Sequence, residues 1–400
     1  MDDLGRAVSG EDPALLLGGG NPGRIPQVEA VFRARLRDIA DDADAYGRAI
    51  ANYAHPAGEI RFRESLAELF RDHCGWDITA QNIALTAGSQ ASFFLLFNMF
   101  AGEMPDGRRK TVLLPMTPEY VGYADLGLDE DLFVSLQPNI ELLDDGVFKY
   151  HVNFDALDVN SSIGAVCISR PTNPTGNVIT DTELEKLDQI CRAARVPLII
   201  DNAYGLPFPG IVFTDAKPLW NDNIVYCMSL SKLGLPGVRT GIVVARREII
   251  ESLTQMTAVM NLAVGSIGPV LVEPLIASGR ILQMARDDIR PFYEKKAALA
   301  VAWLRDALHG VEFRIHKPEG AIFLWLWLPK APLRSQELYR RLKAAGVLVL
   351  SGHYFFPGLT TDWPHRHQCM RISFAMDDVT VQRGIEILGR ELRQICAATP

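Results

Sequence analysis

A lysine and an arginine sit inside the run Ser229-Leu-Ser-Lys-Leu-Gly-Leu-Pro-Gly-Val-Arg239, between apolar stretches at 223–228 and 241–245. An unpaired ammonium is costly to bury in such surroundings, so Lys232 needs either an exit to water or a chemical role. Three other polar stretches share this setting, each following a short apolar run. Gly88-Ser89-Gln90 opens an apolar helical stretch. A strand–glycine turn–helix presents free backbone N–H groups to an anion such as phosphate, and taken alone it reads equally as a tight turn capped by Ser89. Arg170-Pro-Thr-Asn-Pro-Thr-Gly176 presents the amide of Asn173 from a proline-stiffened loop, which by itself is a structural turn. Asp201-Asn-Ala-Tyr204 ends an Ile-Ile run with a carboxylate that wants a cation, unless it caps a helix or forms a structural ion pair.

Together these groups form a specific chemical set. Ser229 and Ser231 offer hydroxyls, and Arg239 offers a fork that grips phosphate. Lysine forms a Schiff base with an aldehyde, and a buried carboxylate such as Asp201 holds a pyridine nitrogen protonated. The combination suits pyridoxal phosphate, whose pyridinium is also the cation that Asp201 lacks.

The elements that must position these residues follow from the apolar pattern. Short runs at 83–86, 111–114, 165–169, 197–201, 224–228 and 241–245 alternate with helical stretches. Several are continuously apolar, as expected of strands covered on both faces. One helix, at 182–194, opens with Thr180-Asp-Thr-Glu183, a capping-box pattern. Such alternation predicts an α/β layer with a mostly parallel sheet and a ligand site at the carboxyl ends of its strands. After residue 285 the texture changes. Helices at 289–308, 335–345 and 379–395 and strands at 311–315, 321–328, 347–350 and 370–374 predict a smaller α+β unit. The expected division is a large domain at 50–285 and a small domain made of 1–49 and 286–400.

Composition narrows the function classes. The chain has 400 residues, 48% of them hydrophobic, and a net charge of −8, which argues against broad nucleic-acid or anionic-membrane binding. Six cysteines without a CxxC pair read as reduced core thiols, and neither a signal peptide nor a run of roughly 20 apolar residues is present. A cytoplasmic protein is expected. His365 and His367 lack a third ligand at useful spacing, so no metal is expected. Phe323-Leu-Trp-Leu-Trp-Leu328 alternates with period two and reads as a core strand.

The order and spacing of Gly88-Ser89-Gln90, Asn173-Pro-Thr-Gly176, Asp201-x-x-Tyr204, Ser229-x-Ser-Lys232 and Arg239 resemble the class I/II, fold-type I aminotransferases. The likeness runs from LGGGNP (17–22) to WPHRHQCMR (363–371). It implies a large domain with a mostly parallel mixed sheet flanked by helices, plus a smaller α+β domain. It also implies pyridoxal 5′-phosphate bound as a Schiff base on Lys232, which afterwards moves the substrate's α-proton. Asp201 is then the partner of the pyridine nitrogen, and Asn173 and Tyr204 bond the ring's phenolic oxygen. Gly88, Ser89, Gln90, Ser229 and Arg239 hold the phosphate, and Tyr120 stacks on the ring. Arg371 clamps the substrate carboxylate, with Asn173 and the glycine segment at Gly20 beside it. Tyr53 matches a tyrosine that reaches a neighbouring subunit's phosphate, implying a homodimer with shared sites. Many members place the phosphate arginine eight residues after the lysine, whereas Arg239 is seven after Lys232, which makes this loop one residue tighter.

The implied activity is a transamination from valine to pyruvate, giving 3-methyl-2-oxobutanoate and alanine by ping-pong kinetics. Two other functions can be built on the same residues. One is a pyridoxal-phosphate enzyme, transaminase or lyase, acting on another amino acid. The other is a ligand-sensing regulator, which would carry a basic DNA-binding domain ahead of Tyr53, where no such pattern is found.

Overall fold

All six apolar runs from 83 to 245 pair in one eight-stranded sheet of the computed structural model, which describes residues 14–397. The first 13 positions of the N-terminal arm lie outside the described residues. The strand order is Ile83–Thr86, Gly241–Val244, Ile224–Ser229, Leu198–Asp201, Ile163–Ser169, Arg109–Leu114 and Gly102–Glu103, with Phe133–Ser135 also paired to Arg109–Leu114. Gly241–Val244 runs antiparallel to both its neighbours, and the strands from Ile224–Ser229 to Arg109–Leu114 are mutually parallel. The sheet is therefore mixed but mostly parallel. All seven residues of Ile163–Ser169 are buried, which is why that stretch reads as an unbroken apolar run rather than an alternating one.

Helices cover the sheet where local signals start them. Thr180 Oγ1 accepts from the Glu183 N–H at 3.1 Å, and Glu183 Oε2 accepts from the Thr180 N–H at 2.9 Å, so the capping box opens helix Asp181–Ala194 as expected. Helix Ser89–Phe100 follows strand Ile83–Thr86 directly, and its Phe93 and Phe97 both pack against Tyr123 with ring centroids 5.1 Å apart. No helix among the described residues is long and apolar enough to cross a membrane.

A second sheet of six strands has the order Leu350–Ser351, Cys369–Ser373, Phe323–Trp327, Arg314–His316, Val147–His151 and Asn139–Leu142. Its last two strands form a hairpin from inside the 50–285 span, so sheet membership crosses that boundary. The run expected as one strand at 347–350 is two short ones with different partners. Val347–Leu348 pairs in parallel with Leu15–Leu16 of the N-terminal arm, and Leu350–Ser351 pairs with Cys369–Ser373.

Two buried cations clamp the loop that carries Asn173. Arg170 Nη2 bonds Asp181 Oδ1 at 2.5 Å, while its Nε and Nη1 donate to the carbonyls of Ile179 and Lys217. On the other side Lys149, from the second sheet, pairs with buried Glu319 and donates to Asn177 Oδ1 and the Val178 carbonyl. Both sheets therefore hold the loop, one through each cation.

Candidate active site

The carboxyl ends of the large sheet open into a cavity of about 500 Å³. Its wall brings together Ser89 and Gln90, Asn173, Asp201 and Tyr204, and Ser229, Lys232 and Arg239, from four separate strand ends. Tyr120, Gly20 and Arg371 close it from the other side. Of the residues expected at the site, Tyr53 alone stands apart, 85% exposed on the surface.

Asp201 ends its strand buried, accepting from the Ala203 N–H at 3.0 Å through Oδ1 and from the Tyr123 hydroxyl at 2.7 Å through Oδ2. Burial raises its pKa, and the two hydrogen bonds and the Lys232 charge act against that rise. A cation placed at its open face would restore the ionised form.

Lys232 is half-buried on a short helical turn, Ser231–Leu233, with its Nζ 5.3 Å from the centre of the Tyr204 ring and donating to the Gly20 carbonyl at 2.5 Å. Burial lowers its pKa to about 8, and the positive charges of Arg371 and Arg239 push the same way against Asp201. An amine in this state is free for nucleophilic and base chemistry at a pH where an ordinary lysine is fully charged.

The anion side is built from backbone. Gly88 has φ +93°, and a Cβ there would lie 2.3 Å from Arg239 Nη2, so only glycine lets the guanidinium rest against this turn. The N–H groups of Ser89 and Gln90 face out of the first turn of their helix, where no preceding carbonyl can reach them. The Gln90 side chain is committed to the Gly122 carbonyl at 3.1 Å, beneath Tyr120. Ser229 Oγ bonds Ser231 Oγ at 2.9 Å and accepts from the Ser231 N–H at 3.0 Å. Arg239 itself takes the left-handed conformation at φ +47° after a second helical turn, Pro236–Val238.

Arg371, only 3% exposed, lies over the Phe323 ring with its Cζ 4.0 Å from the ring centre. Its Nη1 donates to Asn173 Oδ1 at 2.7 Å and its Nη2 to the Gly18 carbonyl at 2.6 Å, while Nε is buried without a partner. Burial lowers its pKa to about 10, still far enough above neutrality to keep it charged.

Three residues at the site, Tyr123, Glu119 and Leu350, carry no local mark in the sequence. Tyr123 donates to Asp201 across 78 positions, and Glu119 lies behind it against Ser169. Leu350 is directly opposite Arg371 in the antiparallel register, so both side chains stand on the same face of the sheet, and Leu350 lines the cavity. Gly18 reaches Arg371 because the arm is pinned by Leu15–Leu16 and by the Ser373 N–H, which donates to the Leu17 carbonyl. No group of three or more potential metal ligands occurs among the described residues.

The family model for aminotransferase class I and II matches residues 16–388. Valine–pyruvate aminotransferase of Escherichia coli (strain K12) is 51% identical over 397 residues, covering 99% of this chain and 95% of that protein. The crystal structure of valine–pyruvate aminotransferase from Salmonella typhimurium LT2 superimposes with a TM-score of 0.92 at 47% identity, covering 99% of both chains. A structure described as a putative amino-acid aminotransferase from Psychrobacter arcticum 273-4 gives a TM-score of 0.97 at 44% identity, covering 99% of this chain and 95% of that one.

Proposed function

The chain belongs to the class I and II aminotransferases, and on that premise we propose that it transfers the amino group of valine to pyruvate with pyridoxal 5′-phosphate held on Lys232. The products are 3-methyl-2-oxobutanoate and alanine. The observation that carries the reading is the one cavity that Lys232, Arg371 and Asp201 line together.

The residues present fit the cofactor. The cradle at Gly88, which a Cβ would fill, and the outward N–H groups of Ser89 and Gln90 match a phosphate beside Arg239. Asp201 offers a carboxylate to a pyridine nitrogen, and Tyr120 offers a ring face. The cofactor, when bound, withdraws electrons from the substrate's α-carbon. Everything else falls to the chain.

Arg371 binds the carboxylate of the amino acid and later that of the oxo acid, and its fork sets their orientation. Asn173, with its oxygen turned to Arg371, keeps its NH₂ as a donor for the ring's phenolic oxygen, and Tyr204 is the second donor. With the cofactor in place and its own amine free, Lys232 would be the neutral base that takes up the substrate's α-proton and holds it for redelivery within the same cavity. Its lowered pKa keeps a useful fraction of that base available near neutrality.

The cavity wall supports an aliphatic monocarboxylic donor. Lys232, Arg239 and Arg371 are its cations, and each has a task, so no spare positive charge in this wall meets a second carboxylate. Leu350 and Val121 supply apolar surface instead. Exposed Tyr46, Ile50, Tyr53 and Ile60 form an apolar stretch on the segment before the sheet, which supports a homodimer that covers them and brings Tyr53 to the partner's phosphate. Six free cysteines suit a reducing cytoplasm.

The test is direct. Purified protein should show a visible absorption band that shifts when valine is added, and it should form alanine from valine and pyruvate. Persistence of that activity in Lys232→Ala would overturn the mechanism, and absence of alanine with valine alongside rapid use of another donor would overturn the substrate assignment.

A further inference from the structure

Glu119 is a fully buried carboxyl for which the reaction above has no use. Both of its oxygens face Ser169. The Ser169 N–H donates to Oε1 at 2.8 Å, and the Ser169 hydroxyl lies 2.5 Å from Oε2. The Glu119 N–H donates to the Phe355 carbonyl at 2.8 Å, which fixes the residue from the small sheet's side. Burial raises its pKa to about 8, and the charge of Asp201 adds to the rise against the bonds from Ser169 and from the Tyr120 N–H. The other titratable groups that feel it, Tyr123 and Cys167, are also buried and also held neutral.

From Ser169 the contacts continue towards the cofactor side. Ser169 Oγ is 3.4 Å from the Tyr123 hydroxyl, which donates to Asp201 Oδ2 at 2.7 Å. Glu119, Ser169, Tyr123 and Asp201 thus make one buried line of oxygens, their exposures being 0%, 1%, 0% and 8%.

Counting hydrogens decides which way the line points, because a hydroxyl has one to give. With a proton on Glu119, its O–H donates to Ser169 Oγ, the Ser169 hydrogen turns to Tyr123, and Tyr123 gives its own to Asp201. Every hydrogen then points at Asp201. With Glu119 ionised, Ser169 turns back to the carboxylate, Tyr123 loses the donor behind it, and two buried anions share one low-dielectric region.

We infer that Glu119 is a neutral buried acid that, through Ser169, positions Tyr123 as the donor to Asp201 and so tunes how Asp201 holds the pyridine nitrogen. Glu119 is in this sense a positioning residue, and the inference rests on the cofactor reading above.

Two measurements test it. Infrared difference spectra of wild type against Glu119→Gln should show a protonated carboxyl C=O band at pH 7 that is missing from the variant. A visible-absorption pH titration of the holoenzyme should give the same midpoint for Glu119→Gln as for wild type below pH 8, because the amide supplies an N–H donor to Ser169 and no charge. Glu119→Ala and Tyr123→Phe should each shift the midpoint by about half a unit or more and loosen cofactor binding about ten-fold. Ser169→Ala cuts the same line one atom further on, so it stands in if Glu119→Ala fails to fold.

The inference is overturned if the protonated-carboxyl band is absent from wild type. It is equally overturned if Glu119→Gln shifts as far as Glu119→Ala, or if a folded Glu119→Ala does not shift at all. A wild-type holoenzyme without a visible band would instead sink the cofactor reading. The infrared result, which needs no cofactor, would still report the protonation of Glu119.

Discussion

Arg371 Nη1 donates to Asn173 Oδ1 at 2.7 Å, tying strand Cys369–Ser373 of the six-stranded sheet to the loop that follows Ile163–Ser169 of the eight-stranded one. The bond sets which way the Asn173 amide faces, and it joins the proposed carboxylate clamp to the proposed donor to the ring. A lysine at 371 could not bond both Asn173 and Gly18 in a plane while still offering a fork.

Arg371→Lys is therefore expected to raise KM for valine and for pyruvate alike, by on the order of 10- to 100-fold. Steady-state kinetics with each substrate varied in turn checks this. An effect on one substrate only would mean that the two carboxylates do not share the site.

The pH dependence follows from the lysine. With a pKa near 8, the amine of Lys232 in the apoprotein is mostly charged at pH 7 and mostly free at pH 9. The rate of cofactor loading should climb about ten-fold per pH unit below 8 and level off above it. Arg371→Gln removes a repelling charge and should move that midpoint upward. The same group fixes the sign for stability. Between pH 8 and the ordinary lysine value of 10.5, the unfolded chain holds a proton that the folded one lacks, so this group's contribution to stability rises with pH across that window. Urea midpoints of wild type and Lys232→Met, compared at the two ends of the window, measure it.

Gly88 and Gly75 offer a matched pair. Both have positive φ, but a Cβ at Gly88 meets Arg239 while a Cβ at Gly75 meets nothing within 4 Å. Gly75→Ala should cost about 1 kcal/mol of stability and leave cofactor affinity unchanged. Gly88→Ala should add a loss of cofactor affinity of about ten-fold or more, read by equilibrium dialysis.

The buried pair Lys149–Glu319 should behave as paired charges do when one is removed. Glu319→Gln leaves a buried ammonium without its counter-charge, bonded only to neutral oxygens, and is expected to destabilise by about 3–5 kcal/mol, with Lys149→Met combined with Glu319→Leu recovering much of it. Denaturant titration checks this. Because Lys149 also holds Asn177 and Val178, the single variant should lower kcat as well.

Leu350 tests the side-chain pocket. Leu350→Ala should favour longer aliphatic donors over valine by a factor of about ten, the worth of one or two methylenes. A donor panel assayed for alanine formation reads the ratio.

What could be read from the sequence had local or type-specific causes. The capping box from Thr180 to Glu183 spans four residues and acts within one turn. Lys232, Asp201 and Asn173 stood out because polar residues with distinct chemistry end otherwise apolar runs. The hairpin Asn139–His151 was not legible, because what makes it part of the second sheet is pairing with Arg314–His316, far along the chain. The split at residue 349 had the same origin, since its two halves answer to different partners. Tyr123 and Glu119 were missed because a phenol or a carboxyl in a turn is ordinary until its partner is known.

The bond from Arg371 to Gly18 joins positions 353 residues apart. The last strand of the large sheet to be synthesised ends at Val244, so every strand of that sheet has been made well before the ribosome reaches residue 371. A nascent chain thus contains Gly88, Asp201 and Lys232 long before it contains Arg371. The N-terminal arm therefore waits through most of the chain's emergence for the arginine that will hold it.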